Sequence, residues 1–187
     1  IFERLEDPKQ ERRVWKLFIE RHNETVGMES LIIEALGKLS DLALARKDKR
    51  GHKKLREQIL AEYVAREMKP QTPAAFVPAK AQFQIIEEDL GAYNKIRVKS
   101  TNPKKANETI QAKIAALKDL QTRYENLADY QSFEWVVAAV YRIAGLYAEF
   151  AQMIYKVPEP KGLDDEELDM YITQIEDQGL QFENQAI

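Results

Sequence analysis

The chain has 187 residues, 44% hydrophobic and 32% charged, with a formal net charge of −3 and a pI near 5.6. That size and balance suit one well-filled domain. They exclude a disordered composition and a membrane span, since no run reaches the roughly 18 successive apolar residues that a spanning helix needs. Cysteine is absent, which excludes disulfides and thiol chemistry and fits a cytosolic or a periplasmic setting equally well.

Asp7-Pro8 reads as an N-cap followed by proline at the first helical position. Val14, Trp15, Leu17 and Phe18 then give a helix over 8–21 one apolar face. The clearest amphipathic signal spans 28–46, where Leu31, Ile32, Ala35, Leu36, Leu39, Leu42 and Ala43 recur at steps of three and four. Gly37 lies inside it. Glycine there costs about 1 kcal/mol relative to alanine, which points to close packing by a neighbour. Residues 46–56 then concentrate Arg46, Lys47, Lys49, Arg50, Lys53, Lys54 and Arg56 against Asp48 alone. With Gly51 as breaker this reads as a basic turn between helices. The next helix, 52–67, turns Leu55, Ile59, Leu60, Tyr63 and Val64 inward.

Three prolines in 69–80 mark the one sizeable connection and allow sub-units at 1–68 and 73–187 within a single all-α domain. A helix over 81–98, with an earlier start near Thr72-Pro73 left open, carries Phe83, Ile86, Leu90 and Tyr93. Thr101 or Asn102 then caps a helix over 103–128 on Ile110, Ile114, Leu117, Leu120, Tyr124 and Leu127. Ser132 precedes the most apolar stretch, 133–155. Its charges Glu134, Arg142 and Glu149, with Lys156 just beyond, fall on one narrow stripe at steps of eight, seven and seven. Neighbours are expected on most of its circumference, making it the central helix. Prolines at 158 and 160 stop it, and a helix over 163–182 with an acidic first turn turns Leu168, Tyr171, Ile172 and Ile175 inward.

Seven helices with short links predict an all-α fold, either a stacked solenoid of helix pairs or a compact helical bundle. The charge is polarised: from Val157 onward nine acids face only Lys161, so that segment is −8 and residues 1–156 carry +5. The start at Ile1 and a helical pattern still running near Ile187 lead us to expect a fragment of a longer protein.

Catalytic signatures are missing from the sequence. There is no glycine-rich phosphate loop, nucleophile elbow or His-Glu-x-x-His, and His22 and His52 read as surface residues in polar surroundings. No enzyme, metal or cofactor is therefore expected. Nucleic acid is an unlikely ligand for the basic segment, which lacks interleaved aromatics in an acidic chain. Two places suit a protein partner. One is the polar stripe of the central helix, where Ala138 and Gly145 would admit close approach while Arg142 and Glu149 offer a donor fork and an acceptor. The other is the basic turn, with Lys47, Arg50, Lys53 and Lys54.

Val140, Ile143, Ala144 and Tyr147 resemble the first-helix pattern of a tetratricopeptide repeat. On that alignment Ala138, Arg142, Gly145 and Glu149 fall where the family lines its concave ligand face. The helix runs on past Phe150, where such a repeat would turn, and no 34-residue period is visible. The last third of the chain also resembles tetratricopeptide-like cell-envelope proteins of gliding and predatory δ-proteobacteria. Trp135, Ala138-Ala139, Tyr141-Arg142-Ile143, Leu146-Tyr147, Phe150-Ala151, the proline loop and the acidic restart at Leu163 carry that likeness. The resemblance implies a non-enzymatic, periplasmic or outer-membrane-associated scaffold that binds other proteins or peptide segments, with oligomers allowed.

Overall fold

The structure, a computed structural model, describes residues 7–186. Among the described residues it holds seven α-helices and no strand: α1 (Pro8–His22), α2 (Glu29–Ala45), α3 (Lys49–Ala65), α4 (Phe76–Tyr93), α5 (Pro103–Glu125), α6 (Phe133–Ile154) and α7 (Asp165–Asn184). The local chemistry explains most boundaries. Asp7 Oδ1 accepts from the N–H groups of Lys9 and Gln10 at 2.9 and 3.2 Å, and Asn102 Oδ1 accepts from Lys105 N–H at 3.2 Å. Asp164 and Glu167 form a reciprocal capping box at the start of α7.

Three expectations shift. Asp48, whose carboxylate accepts from Gly51 N–H at 2.8 Å, caps α3, so the helix begins at Lys49 and Gly51 belongs to its first turn. A Cβ at Gly51 would collide with that carboxylate, which explains the glycine better than chain breaking does. Further on, a 3-10 turn at Pro73–Ala75 leads into α4, with Pro78 in its first turn, and α4 ends at Tyr93, short of Val98.

Backbone contacts divide the chain into two units, residues through Ile85 with Leu127–Trp135, and Ile86–Asn126 with Val136 onward. The division falls inside α4 and not in the proline segment at 69–80. In the first unit α2 packs against both α1 and α3, and the three-residue link between α2 and α3 makes those two antiparallel neighbours. Ile32, Leu36, Ile59 and Ala81 form its buried centre, flanked by Phe18, Ile19, Met28, Leu55, Leu60 and Val77. His52 is buried here, not at the surface. Its Nδ1 lies 2.9 Å from Ser40 Oγ and 3.0 Å from Ser40 O, tying α3 to α2. Arg66 closes the α1–α2 loop by donating to Asn23 O (3.1 Å) and Asn23 Oδ1 (2.6 Å). Trp135 meets Phe76 and Phe83 in tilted ring contacts with centroids 5.6 and 5.2 Å away.

In the second unit Tyr124, Leu146, Phe150, Ala151 and Ile154 are buried, and Phe150 meets Phe182 of α7 with ring centroids 4.3 Å apart. Gly179 of α7 lies directly under the Tyr155 ring, where a Cβ would collide.

Periodicity misplaces four side chains: Leu17, Leu31, Val64 and Ile172 are 38%, 45%, 75% and 38% exposed. Each sits beside the packed stripe of its helix. Ile32 begins the stripe of α2, His52, Arg56 and Ile59 make that of α3, and Tyr171 and Ile175 lie on that of α7, about 100° and 60° from Ile172.

Gly37 does mark a close approach, because a Cβ there would stand 2.8 Å from Val77 Cγ1. Gly37→Ala should therefore lower stability by about 1 kcal/mol, the overpacking outweighing the gain in helix propensity. Adding Val77→Ala should make the alanine at 37 favourable, a reversal that denaturant melts of the four chains would read out.

Candidate functional site

The polar stripe of α6 is largely engaged within its own unit. Arg142 donates to Glu87 Oε2 at 2.7 Å, and Glu87 also accepts from Tyr124 Oη through Oε1. Glu149 receives Arg97, with Lys113 Nζ 3.8 Å away. Lys113 is fully buried because it sits at the same helical register as Leu117, Leu120 and Tyr124 of α5. Its ammonium donates to Ile96 O at 3.2 Å and lies 4.3 Å from the Tyr93 ring centre, while Tyr93 Oη donates to Leu146 O at 2.8 Å. Arg142 and Glu149 thus serve as struts of a polar cluster, not as an unengaged fork and acceptor. Ala138 is half-buried. Gly145 is exposed with nothing within 4 Å of a Cβ placed on it, so no backbone among the described residues packs there.

The other side of α6 contradicts the expectation that this helix is enclosed. Val137, Val140 and Tyr141 are 51%, 61% and 74% exposed, and Ala148 continues the line. These positions follow the helical spacing of one face, so the helix shows solvent an apolar stripe rather than only its charges.

A concave site lies instead in the first unit, between α1, α2 and α3. It is a groove of about 460 Å³ whose floor is Leu36, Leu39 and Ala43 of α2, with Ile19 and Leu55 on either side. Arg12, Lys16, Arg46 and Lys54 rim it, against two carboxylates, Glu20 and Asp48. Asp48 is committed to capping α3 and lies 3.9 Å from Arg46, so the rim remains cationic. Of the basic-turn residues singled out from sequence, Arg46 and Lys54 line this groove. Lys47, Arg50 and Lys53 are exposed nearby in sequence but do not line it, and Arg56 is buried. Arg12 and Lys16 were missed. Their signal is an i, i+4 basic pair followed by Ile19 at i+7, a basic edge beside an apolar one.

Among the described residues, no cluster of three or more His, Asp or Glu side chains is placed to hold a metal ion, and no helix is long and apolar enough to cross a membrane. Comparison with protein-family models, with curated proteins and with solved structures finds no match.

Two outcomes follow from these surroundings. Burial, and next the Arg97 cation, lower the Lys113 pKa from 10.5 to about 8 against the pull of Glu149. Below pH 8 both folded and unfolded chains hold that proton. Between about pH 8 and 10 the unfolded chain binds more protons, so stability should rise with pH. Above that window Tyr93, Tyr124 and Tyr130, all raised chiefly by burial, reverse the trend. Urea melts at pH 7.5 and 9.5 should show the gain in the native chain and not in Lys113→Met; parallel changes would refute the assignment. Gly145→Ala, with open space around it, should raise stability by up to about 1 kcal/mol. A loss in the same melts would mean that the helix surface at 145 is covered.

Proposed function

We propose that this chain is a non-enzymatic protein-binding module, and that its groove between α1, α2 and α3 takes an acidic, amphipathic helical segment of a partner. The observation that carries this reading is the union of an apolar lining, accessible at Ile19 and Leu55, with a rim of four cations and two carboxylates. An apolar face laid between Ile19 and Leu55, over the covered base of Leu36, Leu39 and Ala43, supplies affinity through burial. Acidic side chains reaching Lys16 and Lys54 set orientation and speed encounter. In this reading the successive helices are stacked pairs of a tetratricopeptide-like solenoid, and the chain serves as a scaffold in a cell-envelope assembly, the setting that the sequence resemblance implies. A second reading, a structural or oligomerisation module, is favoured by the exposed apolar line at Val137, Val140 and Tyr141.

The test uses a fluorescein-labelled helical peptide of leucine and glutamate at heptad spacing, beside a glutamine version of the same peptide. The acidic peptide should bind at least tenfold more tightly than the neutral one, and less tightly as salt rises. Lys16→Glu with Lys54→Glu should abolish that preference without changing the melting curve. Equal binding of both peptides, or no effect of the double change, would refute the groove as the acidic-segment site.

A further inference from the structure

The second unit carries a segment whose chemistry mirrors the groove. On α7, Asp169, Ile172, Glu176 and Leu180 follow one another at steps of three, four and four, so they share one face. That face is turned to solvent, with all four exposed and Leu180 53% accessible, while Leu168, Tyr171, Ile175 and Phe182 occupy the packed side. Its two apolar side chains are eight residues apart, about 12 Å along the helix. The groove floor from Leu36 to Ala43 runs about 10 Å along α2, a matching length. The signs match as well, because α7 has Asp165, Glu166, Glu167, Asp169, Glu176, Asp177 and Glu183 and no lysine or arginine, whereas the groove has an excess of cations.

We infer that the occupant of the groove is α7 of a second copy of this chain, so that copies associate head to tail. The inference rests on the groove being an acidic-segment site. Ile172 and Leu180 lie between Ile19 and Leu55, and Asp169 and Glu176 face Lys16 and Lys54. The two surfaces belong to different parts of the sequence, so the contact is heterologous: each copy that offers its α7 still has an unfilled groove, and association continues unless a ring closes.

Sedimentation velocity of the whole chain tests this at 10 µM to 1 mM protein, in about 0.05 M and about 0.5 M salt, concentrations that change the screening length severalfold. The expected result is a weight-average sedimentation coefficient that climbs with protein concentration at low salt, with association weakened at least tenfold at high salt. A groove variant (Lys16→Glu, Lys54→Glu) and an α7 variant (Asp169→Lys, Glu176→Lys), each checked for a normal melt, should be monomeric alone. Mixed in equal amounts they pair the intact groove with the intact α7 and the reversed groove with the reversed α7, so association should return. Monomer under every condition overturns the inference, and so does association that survives in both variants, which would place the contact elsewhere. If the native chain is monomeric yet binds the acidic peptide, the groove stands and only the second copy falls; if the peptide also fails to bind, both fall.

Discussion

Burial of α2 is the constraint on which the first unit depends. Ile32, Ile33, Ala35 and Leu36 are almost wholly inaccessible, which requires cover on more than one side of a single helix. α1 and α3 provide part of that cover. Gly37 lets Val77, at the start of α4, approach more closely than any side chain at 37 would allow. Polar contacts then fix what apolar burial leaves loose. Ser40 and His52 hold the α2–α3 pair, and Lys80 donates to Asp41 at 2.7 Å between α4 and α2. The groove is a by-product of this arrangement: Leu36, Leu39 and Ala43 at its base are themselves covered, and the apolar surface it still offers belongs to Ile19 and Leu55 on its sides.

The second unit solves a different problem. It places a lysine in the buried register of α5 and surrounds the ammonium with a carbonyl, an aromatic face and a carboxylate. Removing a charge from water is costly unless it is paired, so Glu149 is drawn into structural duty, shared between Lys113 and Arg97. The same holds for Arg142, which neutralises Glu87 while Tyr124 hydrogen-bonds that carboxylate. A charged stripe on an apolar helix is therefore ambiguous by itself: it marks a wetted binding face or a set of internal struts, and here two of its members are struts.

In the functional reading, recognition comes from shape and sign together. An apolar floor alone would accept many helices, and a basic rim alone would attract any anion. The combination discriminates against neutral amphipathic segments, which leave the cations uncompensated, and against acidic coils without an apolar face. A self-complementary acidic α7 gives such a groove an occupant without requiring another protein.

The sequence determined the helices themselves. Asp7-Pro8, Asn102-Pro103 and the acidic restart before α7 are local capping chemistry, and the apolar periodicity of 28–46 is the imprint of α2. Gly37 was legible too, since a helix interior tolerates glycine at such a cost only where something must come close. What tertiary structure alone decided was the fate of residues whose periodicity fits two roles. Lys113 and His52 are polar by type yet buried, because partners such as Ile96 O and Ser40 lie 17 and 12 residues away in sequence. Val137, Val140 and Tyr141 are apolar yet exposed, since a helix can be greasy on more faces than its neighbours cover. The groove also escaped the sequence, for Arg12, Lys16, Arg46 and Lys54 come from three segments that meet only when α1 and α3 close on α2. Helix formation is encoded within a few turns of chain, but burial and concavity depend on which distant surfaces come together.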